Sequence, residues 1–461
     1  KKSDSPHVQK TQRIMTLFSR IFALIQFIGI CAIVTVEFLI RKIFSIIGTI
    51  LPVGFIFRKV FRRNQTTSTQ TSDVDEVFLS GGTVEILKAK GYPVEEHYTQ
   101  TKDGYILTLH RIPGSRSHLD EPTASSSSHK TKKKKQPKKK VVFFCHGFMQ
   151  SDEVWVVNDH DSPEGSESLA LKLVDSGLYD VWLGNVRGSK YSHKHLTLKP
   201  VENEFWDFSL DEIISFDLPA MIEYVLEQTL QEKLSFIAFS QGTAVGFGML
   251  ASNPEIASKV NIFIALASTA LVKGLTNRFI QTVALSRPNI LYYMWGHRSF
   301  LSSAIFWRRL VGPHMFVTLC EKGVKLLFGW QSNNMASHEK PVLYSHLYSK
   351  SSVKMLIHWF QIIRTGRFAM FDDMMGTPSS DSHYQGHVLP VYPLERIKCQ
   401  VAMFYGGRDG LPDIEKMLEL LPKNRIAVKI DEYEHLDFQW AASNKTRIHP
   451  KIISLLEKYS R

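Results

Sequence analysis

Ser240 stands in the pentad Ala238-Phe239-Ser240-Gln241-Gly242, after the apolar run LSFIAF (234–239) and before the small-residue stretch QGTAVGFGML. A strand, a sharp turn and a helix at that point lift a hydroxyl above the C-terminal edge of a sheet. Small residues two places to either side let so tight a turn pack, which is the G-x-S-x-G pattern with alanine in place of the first glycine. A serine hydroxyl is a weak nucleophile until a base takes its proton. The partners of such an elbow come later in the chain, an acid and then a histidine. Asp409 in YGGRDGLPD follows the apolar run VAMFYGG (401–407), with Asp413 as the fallback acid, and His435 in YEHLDFQW follows RIAVKI (425–430). Asp437 lies too close to His435 in sequence to come from the preceding strand end. Three residues of the right types, in the right order, each after an apolar strand, form a Ser-His-Asp acyl-transfer set.

Acyl transfer also needs N–H donors for the oxyanion of its tetrahedral intermediate. His146-Gly147-Phe148 directly follows the apolar run VVFFC (141–145). The backbone N–H groups of Phe148 and Gln241 are the expected pair, and His146 is expected to be structural.

The elements that must position these groups alternate along the chain. VVFFC, DVWLG (180–184), LSFIAF and IFIALA (262–267) read as buried strands, and amphipathic runs near 166–176, 211–229 and 242–252 as the helices between them. Apolar strands without period-2 alternation, separated by helices, predict a mostly parallel sheet covered on both faces. Residues 83–92 read as a helix, and VEEHYTQTKDGYILTLHRIP (94–113) as a hairpin turning at Asp103-Gly104, because glycine tolerates a positive φ. Residues 270–390 are rich in Phe, Trp, Met and His and break the alternation, an insertion after the fifth or sixth strand. Alternation resumes at 401 and ends in a helix near 449–459.

The 461 residues suit one elaborated domain or two, and 44% hydrophobic with 22% charged residues is ordinary for a chain with a large core. The net charge of +12 comes from local clusters, including eight lysines between Lys130 and Lys140. No nucleic-acid-binding module accompanies them, so nucleic acid is not an expected partner. The four cysteines, Cys31, Cys145, Cys320 and Cys399, have neither metal-ligand nor disulfide-framework spacing, and reduced thiols are expected. No metal or cofactor site is visible.

Residues 21–40, IFALIQFIGICAIVTVEFLI, are long enough to cross a bilayer, which takes about 20 apolar residues. A shorter apolar stretch, 43–57, follows Arg41 and Lys42, and basic residues flank the whole block. That symmetry favours a cytosolic N-terminus and a cytosolic catalytic part, as a hairpin or an element lying in the membrane plane. The serine- and lysine-rich stretch 114–140 is a low-complexity insertion, either a solvated loop or a contact for anionic lipid.

GYPVEEHYTQTKDGYILTLHRIP, HGFMQSDEVW, YDVWLGNVRGSKYS, FWDFSLDEI, AFSQGTA and EHLDFQWA together resemble the acid lipase branch of the α/β-hydrolases. The membrane segment and SSVKMLIHWFQIIRTGRFAMFDD are similar to fungal membrane-anchored steryl ester hydrolases. The resemblance implies an α/β-hydrolase fold with a helical lid insertion and an N-terminal membrane helix or hairpin. The expected divisions are a membrane-anchoring segment (1–63), a linker (64–82), a first core part (83–269), a lid (270–390) and a second core part (391–461). The resemblance also implies Ser240, Asp409 and His435 as the triad. The expected activity is hydrolysis of steryl esters, with triacylglycerols as a further substrate, at a lipid droplet or endoplasmic reticulum surface. A phospholipase or thioesterase would use the same residue types, and Ala238 leaves open an inactive scaffold that keeps the fold.

Overall fold

The computed structural model describes residues 73–116, 138–158, 167–300, 311–373 and 389–460. The segment 1–63 and most of the insertion 114–140 lie outside the described residues. Among the described residues no helix is long and apolar enough to cross a membrane.

The centre is a nine-stranded sheet. Its strands are β1 (Glu95–Gln100), β2 (Tyr105–Ile112), β3 (Lys140–Cys145), β4 (Tyr179–Gly184), β5 (Lys194–His195), β6 (Leu234–Phe239), β7 (Val260–Leu266), then, after a lid with its own two-residue strands β8 (Ser299–Phe300) and β9 (Ser351–Ser352), β10 (Gln400–Gly406) and β11 (Ile426–Ile430). The spatial order is β1-β2-β4-β3-β6-β7-β10-β11, with β5 paired to β2. The hairpin β1–β2 and the contact of β2 with β4 are antiparallel, and the pairs from β4 through β11 are parallel. Gly104 closes the hairpin at φ +99°.

Successive strand residues point to opposite faces, so each strand feeds two cores. Phe143, Phe236, Ala238, Phe263 and Ala265 join one buried cluster. Val142, Phe144, Ile237, Phe239, Ile262 and Ile264 join the other. Phe236 and Phe263 stack across neighbouring strands with centroids 4.9 Å apart. Helices Leu218–Thr229 and Gln241–Ser252 cover the first face, and helices Leu169–Asp175 and His449–Tyr459 the second. The expected helix over 211–229 is present, but a π-helical turn, Ile213–Asp217, interrupts it. That turn aims Asp217 inward at a buried guanidinium.

Within the expected linker over 64–82 the chain is helical over Asp73–Ser80. Phe78 packs against the second core, and its carbonyl accepts a hydrogen bond from His346 Nε2 at 2.7 Å. An apolar side chain with a buried anchoring contact outweighs the local polarity that suggested a linker.

The lid leaves the sheet after β7 and returns at β10. Its described helices include Pro288–Trp295, Pro313–Phe328, Lys340–Ser345 and Val353–Thr365. Part of it has its own small core of Ala284, Leu291, Val353, Ile357 and Phe360.

Arg187 is a buried cross-link in this frame. Its guanidinium meets Asp217 at 2.7 Å and Asp103 of the hairpin turn at 2.6 Å, and lies over the Tyr105 ring. Removing one partner of a buried charge pair leaves the other unpaired in low dielectric, at about 3–5 kcal/mol. Arg187→Met is therefore expected to lower unfolding free energy by about that amount in urea titration. A change below about 1 kcal/mol would show that the network contributes nothing to stability.

Candidate active site

Ser240 lies between β6 and helix Gln241–Ser252 at φ +51°, ψ −119°. Few residues other than glycine hold such a backbone, and it persists only where its surroundings impose it. The Ser240 N–H donates to the Leu266 carbonyl at the end of β7, and Thr243 N–H donates back to the Ser240 carbonyl. Ala238 is fully buried within β6 and fits as an ordinary strand residue. The position two after the serine is stricter. A Cβ on Gly242 would meet the carbonyl oxygens of His146 and Cys145 at 2.7 and 2.8 Å.

The partners arrive from the ends of β10 and β11. His435 Nε2 accepts the Ser240 hydroxyl at 2.7 Å, and Nδ1–H donates to Asp409 Oδ2 at 2.6 Å. Asp409 Oδ1 also accepts the Leu411 N–H, and both Asp409 and His435 are buried. The two loops lie close enough that a Cβ on Gly406 would fall 2.1 Å from the Tyr433 carbonyl oxygen. The acid loop is laced to the histidine loop by Gly407 N–H to the Ile430 carbonyl and Arg408 N–H to the Tyr433 carbonyl.

The loop after β3 passes directly beside the serine. A Cβ on Gly147 would lie 3.2 Å from Ser240 Cβ. The loop is held by Gly147 N–H to Gln150 Oε1, and Gln150 in turn reaches Gln439 beyond His435. Among the described residues, the backbone N–H groups of Phe148 and Gln241 donate to no protein acceptor. Gln241 directly follows Ser240, and Phe148 directly follows Gly147, whose backbone packs against the serine. The Gln241 side chain accepts from the indole N–H of Trp359 at 2.8 Å.

The remaining candidates have structural partners. His146 donates through Nδ1 to the Gly147 carbonyl and accepts the Val186 N–H at Nε2, and burial lowers its affinity for a proton. Asp413 caps helix Ile414–Leu420 by accepting the Lys416 N–H. Asp437 accepts Glu434 N–H and Asn334 Nδ2–H, and burial pushes its carboxyl up to about 6. Sequence reasoning did not identify Gln150, Trp330, Trp359 or Glu434. Glu434 directly precedes His435, and adjacency was the only signal available. The tryptophans lay unmarked in an aromatic-rich block.

A family model described as "alpha/beta hydrolase fold" matches residues 140–442, and one described as "Partial alpha/beta-hydrolase lipase region" matches 83–159. A probable lipase of Schizosaccharomyces pombe is 40% identical over 400 residues, covering 85% of this chain and 84% of its own. Human lysosomal acid lipase/cholesteryl ester hydrolase is 34% identical, covering 81% of this chain and 90% of its own. Rat gastric triacylglycerol lipase is 33% identical, covering 79% and 89%.

Gly242→Ala tests the strictness of the turn. The added methyl has only backbone to displace, so the protein is expected to lose about 1–3 kcal/mol of stability. Ser240 should also react at least about tenfold more slowly with a fluorophosphonate, since small misplacements of reacting groups slow reaction steeply. Labelling at the unmodified rate would show that the contact is not limiting.

Proposed function

The chain belongs to the acid lipase branch of the α/β-hydrolase family, and from that premise we propose that it cleaves steryl esters to sterol and fatty acid, with triacylglycerols as a further substrate. It is a lipid esterase by family. The observation that carries the mechanism is the hydrogen-bonded row from Ser240 through His435 to Asp409.

In that mechanism Ser240 Oγ attacks the ester carbonyl carbon while His435 Nε2 takes its proton. Asp409 remains ionised, fixes the tautomer with hydrogen on Nδ1, and faces the imidazolium that forms. The carbonyl oxygen, now negative, takes hydrogen bonds from the Phe148 and Gln241 amides. One such donor is worth about 10²–10³ in rate. Collapse of the intermediate breaks the acyl–oxygen bond, and His435 returns the proton to the departing sterol oxygen. Water then repeats the sequence on the acyl-enzyme, giving up its proton to His435, and the fatty acid leaves with Ser240 restored. An epoxide hydrolase is disfavoured because its elbow carries a carboxylate nucleophile.

The substrate is insoluble, and this favours action at a lipid surface. Ile290 and Tyr293 on one lid helix and Met315 and Leu319 on another are exposed, an apolar presentation suited to such a surface. The apolar segment 21–57 is proposed to anchor the protein to the endoplasmic reticulum or lipid droplet, with the catalytic part cytosolic. Chain lacking residues 1–63 should then leave the floating lipid fraction on density centrifugation while keeping esterase activity. Unchanged flotation would refute the anchor.

Ser240→Ala, assayed on cholesteryl oleate and triolein in mixed micelles, is expected to lower kcat by at least about 10⁴-fold. Turnover of both esters at the unmodified rate would overturn the assignment of the nucleophile. Cleavage of triolein alone by the unmodified protein would overturn the sterol preference.

A further inference from the structure

His435 is held in its own plane by two hydrogen bonds, but hydrogen bonds in a ring's plane do little to stop it tilting. Aromatic rings from two different parts of the chain pack against the imidazole. Phe239, the residue before the nucleophile, lies at 5.2 Å with a 57° tilt. Trp330, from the lid, lies at 4.9 Å with its ring parallel to within 4°. Phe328 stacks with Trp330 in turn at 4.3 Å.

The position of Trp330 is set by a short strap that follows helix Pro313–Phe328. Gly329 leaves the helix in the left-handed region at φ +80°, and Ser332 takes φ +56°. Between these two turns the backbone N–H groups of Gln331 and Ser332 both donate to the Glu434 carboxylate at 2.8 Å. Asn334 extends the grip by donating to the Glu432 carbonyl and to Asp437, and its own carbonyl accepts the Ala442 N–H. Tyr344 anchors the strap from the lid side by donating to Ser332 Oγ at 2.9 Å. Glu434 immediately precedes His435. One dipeptide therefore carries the base and grips the segment that covers it.

The indole N–H of Trp330 is buried and has no acceptor among the described residues. Burying an unpaired donor is unfavourable, so the ring is retained for its face rather than its N–H. An indole face is also a favourable neighbour for the imidazolium that forms when His435 takes a proton.

We propose that Trp330 is a positioning residue for the general base. Its indole, gripped through its backbone neighbours by Glu434, holds the His435 ring in the plane that joins Ser240 to Asp409. The lid in this view supplies part of the catalytic frame as well as a cover. The proposal rests on the serine hydrolase reading above.

Two readouts on the full chain test it: the rate of fluorophosphonate labelling, and kcat and KM on p-nitrophenyl butyrate, a short ester. Trp330→Leu is expected to lower both the labelling rate and kcat by about tenfold, with KM within about twofold. Trp330→Phe restores a stacking ring and should recover both rates to within about threefold of the unmodified protein. Labelling of Trp330→Leu at the unmodified rate, a loss confined to KM, or a Phe variant as slow as the Leu variant would overturn the proposal. If the unmodified chain is not labelled, the hydrolase reading fails instead. Glu434→Gln provides a second arm should Trp330→Leu lose its cooperative melt. It weakens the strap without touching the indole and should slow labelling about threefold. A folded Glu434→Gln protein that labels at the unmodified rate overturns the clamp.

Discussion

The φ of +51° at Ser240 is the constraint on which the rest of the molecule depends. A serine does not adopt that backbone on its own account; packing on all sides imposes it. The strand before it is buried on both faces, the helix after it is buried along nearly its whole length, and β7 accepts its N–H. Bare backbone at Gly242 lets the loop after β3 run against the turn. That same approach brings Gly147, and with it the loop that carries Phe148, beside Ser240. The strain of the elbow and the closeness of that loop are thus two consequences of one close contact.

A second set of constraints is electrostatic and lies away from the serine. His110 pairs with Asp152 at 2.5 Å in full burial. Burial opposes its charge, but Asp152 and Glu96 hold its pKa above the ordinary value. Asp152 also accepts the Thr83 hydroxyl from the N-terminal helices. Glu153, next in the chain, meets His346 of the lid at 2.8 Å and also Lys190 and Tyr191. Burial opposes ionisation of Glu153, yet His346 and Lys190 hold its carboxyl down to about 2. Four separate parts of the chain therefore converge on the short helix Asp152–Trp155 that follows the loop after β3. The loop beside Ser240 is braced from behind by charges that would be unfavourable if any were left unpaired.

The lid is tied to the core at three points that differ in kind. His346 enters the buried charge network, Trp359 holds the Gln241 side chain, and the strap around Trp330 lies against His435. Of the exposed apolar side chains among the described lid residues, Ile290, Tyr293, Met315 and Leu319 lie instead on helices Pro288–Trp295 and Pro313–Phe328, with Leu285 and Met370 outside them. The lid combines segments locked onto the core with a greasy outer surface, and the division runs through the single helix Pro313–Phe328.

The parallel sheet, its helices and the hairpin turn at Gly104 were legible in the sequence, because burial on both faces leaves unbroken apolar runs and tight turns demand glycine. So were Ser240, Asp409 and His435 as candidates, since an elbow followed by two strand-end residues is a local pattern repeated in a known order. The helix Asp73–Ser80 was not legible: its stability comes from Phe78 and its carbonyl meeting partners more than two hundred residues away. The π-turn that aims Asp217 at Arg187 was hidden for the same reason. Glu434 and Trp330 gave no sign, because a carboxylate that grips two amides and a ring that covers a base are defined by what lies opposite them. The sequence by itself determined which residues can carry out the chemistry and which elements bring them to the sheet edge, through periodicity and turn chemistry that act over a few residues. Only the tertiary structure decided which aromatic stacks on His435 and which carboxylate holds that ring's strap in place, because those contacts exist only once distant segments of chain share the same space.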